Sequence, residues 1–255
     1  MQSFSSEGVE IAFLDEPARG DDRGEPVLLV HGFASNRRVN WVETGWVDVL
    51  TRSGRRVLAF DNRGHGESQK LYDPALYATP LMAQDARVLL DHCGLERVDV
   101  IGYSMGARIA AFLALAHGER VRSLVLGGLG AHLVDGFGLP LGIAEAMETP
   151  TPETLSDPMQ RMFRAFADKG HADRRALAAC IRGSRQSLSA QELAHIFCPT
   201  LVAVGTRDTI AGDPRRLASL LPDAEVLDIP GRDHNPAVGD KVFKQGVLRF
   251  LDSRP

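Results

Sequence analysis

A serine flanked by glycines is the residue of this chain with the clearest chemical potential. Residues 102–106 read Gly-Tyr-Ser-Met-Gly; they follow the apolar run 98–101 and precede a helix-forming stretch, 107–116. A sharp strand-to-helix turn of this kind strains the serine backbone and holds the hydroxyl clear of the sheet. Glycines suit such a bend because strand and helix pack too closely for a Cβ. The pattern therefore predicts that Ser104 is a nucleophile.

A base and an acid that could activate Ser104 follow later in the chain. A serine hydroxyl is a weak nucleophile at neutral pH, so it needs a base within hydrogen-bond reach and an acid that orients the base. Asp208 follows the strand pattern 200–205, and His234 follows the pattern 226–229. Because the carboxyl ends of parallel strands meet at one edge of a sheet, the three side chains can converge there. We predict a catalytic triad of Ser104, His234 and Asp208.

Two other carboxylates compete with Asp208 for the role of orienting acid. Asp228 lies inside a strand pattern, and Asp233 is the immediate neighbour of His234. An adjacent residue does not easily reach the far side of the imidazole ring. The position at a strand end therefore favours Asp208.

A third group of residues could stabilise negative charge. Acyl transfer passes through an oxyanion, which preorganised backbone N–H groups stabilise by about 3 kcal/mol each. One donor is the residue after the nucleophile, here Met105, and the other lies in the loop after an early strand. The apolar run 26–30 leads into His31-Gly32-Phe33. We therefore predict that the N–H groups of Phe33 and Met105 form an oxyanion hole.

Together with one further motif, these features resemble a known superfamily. The motifs are His31-Gly32-Phe33, Asp61-Asn62-Arg63-Gly64-His65-Gly66-Glu67-Ser68, Gly102-Tyr103-Ser104-Met105-Gly106, Gly205-Thr206-Arg207-Asp208 and Asp233-His234. In order and spacing they resemble the α/β-hydrolase superfamily, and within it a serine esterase or lactonase with a helical cap. The resemblance implies an α/β fold with a mostly parallel, doubly wound sheet of about eight strands. It also implies that Asp61 and His65 hold the shape of a loop. His31 is interpreted as a structural histidine, because His234 already supplies the base.

Strand and helix patterns alternate along most of the chain, which predicts a sheet wound on both faces. The alternation stops between 129 and 198, where apolar residues such as Met159 and Phe163 recur at helical spacing. We therefore predict an α/β-hydrolase core, residues 1–128 and 199–255, and a helical cap, residues 129–198, over the strand ends. Packing against the core is the favoured interpretation of the apolar stripe Met159, Met162, Phe163 and Phe166. Other predicted helices cover 41–53, 173–182, 189–197 and 238–251.

Composition excludes several other classes of protein. The 255 residues are 44% hydrophobic and 24% charged, with a formal charge of −4, which gives no reason to expect nucleic acid or an anionic membrane as partner. No apolar run approaches the length of a membrane span, and the N-terminus shows no secretory pattern. The three cysteines have no metal spacing, so we expect free thiols in a reducing, cytoplasmic compartment. No motif indicates a cofactor or a metal, and the chain could be a monomer or a homodimer.

The function expected from these features is hydrolysis of small carboxylic esters through an acyl-enzyme. Few charged anchors are apparent near Phe33 or Ser104, so small to medium, mostly apolar acyl groups are expected. The same triad could instead serve a lactonase, a perhydrolase or a C–C bond hydrolase. Two other classes stay open: an acyltransferase, in which an alcohol replaces water, and a ligand sensor with an intact triad and slow turnover.

Overall fold

An eight-stranded, mostly parallel sheet forms the centre of the fold, seen in a computed structural model that describes residues 2–136 and 139–254. The strands are β1 (Gln2–Ser6), β2 (Val9–Glu16), β3 (Val27–Val30), β4 (Val57–Phe60), β5 (Val98–Tyr103), β6 (Val121–Gly127), β7 (Thr200–Gly205) and β8 (Ala224–Ile229). Their order is β1-β2-β4-β3-β5-β6-β7-β8; β2 is antiparallel to both neighbours, and the other pairs are parallel. The predicted fold class is confirmed.

The central strands are buried on both faces because helices cover both sides of the sheet. Every residue of β3, β4 and β5 is buried, and these strands are rich in Val, Leu and Ile. Such runs are typical of parallel strands packed between helical layers. Successive side chains alternate between two cores: Leu28 and Val30 belong to one, and Val27 and Leu29 belong to the other.

Two helical layers enclose the sheet. The helices are α1 (Trp46–Arg52), α2 (Thr79–His92), α3 (Met105–Ala116), α4 (Gly142–Glu148), α5 (Pro158–Lys169), α6 (Arg174–Gly183), α7 (Ala190–Leu193), α8 (Pro214–Ala218), α9 (His234–Ala237) and α10 (Lys241–Ser253). Helices α1 and α10 pack in one core, whereas α2, α3 and α8 pack in the other. The sheet is therefore doubly wound, as expected.

Four helices, α4 to α7, occupy the segment predicted to form a cap. The described residues between 129 and 198 contain helices and no strand. Phe137 and Gly138, which belong to the predicted cap, lie outside the described residues. Helix α7 is shorter than the predicted 189–197. It ends at Leu193, and a segment without a helix or strand connects it to β7. The boundaries between core and cap stay a prediction.

The helix predicted over 41–53 is wrong, because the structure divides it in two. A π-helical turn covers Arg38–Val42, and α1 begins only at Trp46. Gly45 separates them with a φ of 81°, a left-handed conformation that favours glycine. The break lets the Trp41 and Trp46 rings pack edge to face, 6.0 Å between centroids, with both side chains fully buried.

The last helix also begins later than predicted. The sequence pattern indicated 238–251, but α10 starts at Lys241. The Asp240 side chain accepts a hydrogen bond from the Val242 N–H, 2.7 Å long, and so caps the helix there.

Two further observations concern the cysteines and the length of the helices. Cys180 and Cys198 are buried, Cys93 is partly buried, and all three are unpaired. No helix in the part of the chain that the structure describes is long and apolar enough to cross a membrane. The cytoplasmic location stays a prediction.

Candidate active site

The turn between β5 and α3 holds Ser104 in a strained conformation. Its φ is 55° and its ψ is −114°, values that a residue with a side chain rarely adopts. The flanking glycines are required by packing: a Cβ on Gly102 would overlap the Gly106 carbonyl, and a Cβ on Gly106 would overlap the Val30 carbonyl. The structure thus places Ser104 on the tight strand-to-helix turn that its sequence pattern indicates.

His234 lies between Ser104 and Asp208 and contacts both. Its Nδ1 is 2.7 Å from Asp208 Oδ2, and its Nε2 is 2.9 Å from Ser104 Oγ. A carboxylate only accepts hydrogen bonds, so Nδ1 carries the proton and donates it to Asp208. Nε2 is then left with a lone pair that faces the serine hydroxyl. The geometry therefore suits proton transfer from Ser104 to His234.

Backbone contacts fix the aspartate in this position. The Asp208 side chain is fully buried after β7, and its second oxygen, Oδ1, accepts from the N–H groups of Ile210 and Ala211 at 2.8 and 3.0 Å. The imidazole is held as well, because the Tyr103 hydroxyl donates to the His234 carbonyl oxygen at 2.5 Å. Burial raises the pKa of Tyr103 above its ordinary value, so the hydroxyl stays protonated as a donor.

The two rival carboxylates point elsewhere. Asp228 pairs with Arg215 at 2.6 Å, and Asp233 faces Arg207 at 3.4 Å. All four of these side chains are more than 40% exposed. The structure thus brings Asp208 to the histidine and leaves both rivals at the surface.

The two predicted oxyanion donors lie beside Ser104. Phe33 and Met105 line the same cavity as the serine, and Met105 is the first residue of α3. The positive end of a helix dipole therefore points toward the site. Among residues 2–136 and 139–254, neither of these backbone N–H groups has a hydrogen-bond acceptor. Their role as oxyanion donors stays a prediction.

A buried histidine and an asparagine hold the loop that carries Phe33. His31 Nε2 accepts from the Asn62 N–H at 2.9 Å, so its Nδ1 is the protonated nitrogen and donates to the Gly32 carbonyl at 2.8 Å. Burial lowers the pKa of His31 to about 4, which keeps the ring neutral. The Asn40 side chain accepts from the Gly32 N–H at 3.2 Å. Sequence reasoning missed Asn40, although its place near the oxyanion loop was a usable signal.

Asp61 and His65 hold the neighbouring loop, as the resemblance implied. Asp61 accepts from the N–H groups of Arg37 and Glu67 at 2.7 and 2.8 Å and forms an ion pair with Arg37. His65 is buried and donates from Nδ1 to the Arg63 carbonyl at 3.0 Å. Burial lowers the pKa of His65 to about 3. Neither side chain contacts Ser104.

Two cavities flank the serine. The histidine cavity, of about 200 Å³, is lined by Asn40, Tyr103, Phe163, Phe166, His234 and neighbouring residues. The arginine cavity, of about 220 Å³, is lined by Leu129, Leu139, Met159 and Ile181 together with Arg108 and Arg185. Phe33 and Ser104 belong to both linings. Substrate atoms can therefore extend from Ser104 in two directions.

The arginine cavity corrects one expectation. We expected few charged groups near Phe33 and Ser104, but Arg108 and Arg185 line the same cavity as both. Arg108 lies in an otherwise apolar helix, α3, which was the missed signal in the sequence. Arg185 lies in the irregular segment after α6, where no periodicity predicts its direction.

The apolar stripe on α5 contacts both the core and the cavities. Phe163 is buried, and its ring lies 5.9 Å from that of Phe33. Met159 lines the arginine cavity, and Phe166 lines the histidine cavity, whereas Met162 is 37% exposed. The stripe therefore seals the site as well as packing against the core.

The fold and the site together define a class of protein. A doubly wound sheet carries a serine, a histidine and an aspartate at the carboxyl ends of parallel strands, with backbone donors beside the serine. A family model described as alpha/beta hydrolase fold matches residues 25–139 of this chain.

Solved structures match nearly the whole chain. A hydrolase from Pseudomonas aeruginosa has a TM-score of 0.79 at 25% identity, and the match covers 99% of this chain and 98% of that one. A thermophilic esterase from Thermogutta terrifontis has a TM-score of 0.74 at 25% identity, with coverage of 99% and 98%. The chain belongs to the α/β-hydrolase superfamily.

Curated relatives carry the names of enzymes with different reactions. A non-heme chloroperoxidase of Kitasatospora aureofaciens is 28% identical over 96% of this chain and 97% of that protein. A relative from Bacillus subtilis is 34% identical, but that match covers only 48% of this chain and 41% of that protein. The reaction of this chain must therefore be argued from its own site.

Proposed function

We propose that the protein hydrolyses carboxylic esters through a covalent acyl-enzyme on Ser104. One observation carries the proposal: a hydrogen-bonded series runs from Asp208 through His234 to Ser104, with links of 2.7 and 2.9 Å. A serine with a positive φ, 55°, and unused backbone donors beside it adds to this argument. Such an arrangement is the general solution for serine-based acyl transfer.

Acylation begins with proton transfer from Ser104 to His234. As Oγ attacks the ester carbonyl, Nε2 takes the hydroxyl proton and the carbonyl oxygen becomes an oxyanion. The N–H groups of Phe33 and Met105 stabilise this oxyanion. Asp208 keeps the imidazole in the reactive tautomer and stabilises the imidazolium.

The position of His234 assigns a side of the site to each half of the ester. The leaving alcohol takes its proton from Nε2, so it must depart on the side of the histidine cavity. The acyl group then occupies the arginine cavity, whose lining includes the serine but not His234. A volume of about 220 Å³ supports small to medium acyl groups.

Deacylation repeats the same steps with water. A water molecule enters where the alcohol left, His234 removes its proton, and the hydroxide attacks the acyl carbonyl. The oxyanion forms again in the same hole, and Ser104 recovers its proton from His234. The products are an alcohol and a carboxylic acid.

The names of relatives give this proposal further support. The Pseudomonas aeruginosa and Thermogutta terrifontis proteins, each 25% identical to this chain, are a hydrolase and an esterase.

Lactone opening, perhydrolysis, C–C bond cleavage and acyl transfer to an alcohol all use the same serine and oxyanion hole. Product analysis with an ester, with and without added alcohol, separates transfer from hydrolysis. A single fast turnover followed by near silence would instead indicate a ligand sensor.

The test is ester hydrolysis by the wild-type protein and by Ser104→Ala. With 4-nitrophenyl acetate we expect steady turnover by the wild type and a loss approaching about 10⁶-fold in the variant. The two proteins should have the same unfolding transition, which shows that the fold survives. If the folded variant keeps more than a few per cent of the activity, the proposal is wrong.

A further inference from the structure

Two arginine residues, Arg108 and Arg185, line the arginine cavity. Arg108 lies on α3, four residues after Ser104, which places it about 6 Å further along the helix axis. Arg185 follows α6, in the segment predicted to form the cap. Both residues line the same cavity as Ser104. Positive charge is therefore concentrated about one helical turn from the nucleophile.

Arg108 is buried although it is charged. It is 6% exposed, and its acceptors include the carbonyl oxygens of Gln186 and His132, at 2.8 and 3.1 Å. Burial, and then the neighbouring charge of Arg185, lower the pKa of Arg108 to about 10. Two like charges in a poorly solvated cavity repel each other, and a negative charge between them would stabilise both.

Arg185 has no counter-ion among the residues that the structure describes. One of its nitrogens donates to the Leu139 carbonyl oxygen at 2.9 Å. The described lining of the cavity includes neither aspartate nor glutamate. By contrast, Arg182, three residues earlier, pairs with Glu148 at 2.6 Å. The positive charge of Arg185 is thus left for a ligand to neutralise.

We propose that the natural acyl group carries a carboxylate, which Arg185 and Arg108 bind while Ser104 attacks the ester at the other end. This inference rests on the proposed function. Guanidinium groups bind carboxylates through paired, charge-assisted hydrogen bonds. The short span from Ser104 to Arg108 favours monoesters of dicarboxylic acids with about two to four methylene groups. The apolar side chains Leu129, Met159 and Ile181 then contact those methylene groups.

A pair of matched esters tests the proposal. Monomethyl glutarate carries the carboxylate, and a methyl ester of the same length with an isopropyl group in its place is the neutral counterpart. We expect wild-type kcat/KM to favour the anionic ester at least tenfold. Arg185→Met should lower the ratio of the two kcat/KM values by about 10- to 100-fold, the size expected for hydrogen bonds to a charged group. A neutral ester preferred by the wild type would overturn the proposal.

Two further variants complete the design. Arg182→Met removes a paired arginine at the end of α6, three residues before Arg185, and should leave the ratio unchanged. Arg185→Lys keeps the charge and should restore part of the preference for the anionic ester. If Arg182→Met lowers the ratio as much as Arg185→Met does, general surface charge accounts for the preference and the proposal fails.

Binding separates this inference from the proposed function. Calorimetric titration of Ser104→Ala with glutarate does not depend on turnover. We expect binding by this variant and at least tenfold weaker binding when Arg185→Met is added. If no ester is hydrolysed but glutarate binds in this way, the proposed function fails and the anion site stands. If esters are hydrolysed but glutarate does not bind, the anion site is refuted and the proposed function stands.

Discussion

Replacement of Asp208 by asparagine tests the proposed mechanism at the residue with the most constrained surroundings. Oδ1 of Asp208 accepts from two backbone N–H groups, those of Ile210 and Ala211, and Oδ2 accepts from His234 Nδ1. An asparagine has one carbonyl oxygen and one NH₂ group to offer these donors. The oxygen must face the two fixed backbone N–H groups, because an NH₂ group there would leave both of them without an acceptor.

The amide NH₂ group of the variant then faces His234 Nδ1. That nitrogen becomes an acceptor, so the proton moves to Nε2, which can no longer take the proton of Ser104. In triads of this kind the wrong tautomer lowers kcat by about 10⁴-fold, a barrier increase of about 5 kcal/mol. Because asparagine has nearly the same shape, the fold should be retained.

The assay is kcat for a small activated ester, measured for three variants in parallel. Asp208→Asn should lose about 10⁴-fold. Asp228→Asn and Asp233→Asn alter exposed carboxylates, 42% and 58% exposed, and should stay within about twofold of wild type. A large loss in Asp233→Asn, or a loss of less than about tenfold in Asp208→Asn, would refute the assignment.

Three other predictions follow from the site and its support. Asn40→Leu removes the acceptor of the buried Gly32 N–H and should lower kcat about tenfold in a variant that is less stable but still folded; an unchanged kcat would show that the oxyanion loop does not depend on it. Because folding lowers the pKa of His31 from 6.5 to about 4 and that of His65 to about 3, protons bind the unfolded chain first as pH falls. The free energy of unfolding in urea should therefore fall by about 1.4 kcal/mol per pH unit for each histidine, between pH 6.5 and about 4 for His31 and between pH 6.5 and about 3 for His65. Equal stability at pH 7 and pH 5 would contradict this. Across acetyl to decanoyl esters of one alcohol, kcat/KM should fall smoothly beyond medium chains; a maximum at the longest chain would mean that the arginine cavity is open.

Much of the fold follows from local patterns in the sequence. Buried runs of Val, Leu and Ile in β3 to β7 predict parallel strands, and residues at strand ends are then brought to one edge by topology alone. This reasoning placed Asp208 and His234 with Ser104, and the structure has them in hydrogen-bond contact. The helix pattern gave the wrong result at Gly45. This residue has a left-handed conformation and separates the π-helical turn from α1. A single glycine inside a helical pattern did not reveal that break.

The substrate-facing residues were harder to predict, because their directions depend on tertiary packing. Arg108 interrupts an apolar helix, but the sequence does not tell whether such a charge meets solvent, an acid or a cavity. Arg185 comes from a segment without periodicity, and only the folded structure brings it to the same cavity as Arg108. Asn40 lies in the π-helical turn, and its side chain accepts a hydrogen bond from the Gly32 N–H of the oxyanion loop. Long-range contacts of this kind leave no spacing pattern in the chain.

The central claim is that Ser104 becomes acylated during turnover. The most direct measurement is mass spectrometry of the protein after rapid acid quenching during hydrolysis of 4-nitrophenyl acetate, followed by digestion to locate the added mass. We expect one acetyl group per chain on the peptide that contains Ser104, and none in Ser104→Ala. Two results would contradict acylation of Ser104 during steady turnover by the wild type. One is an acetyl group on another residue, and the other is no acetyl group on Ser104 under conditions of burst release.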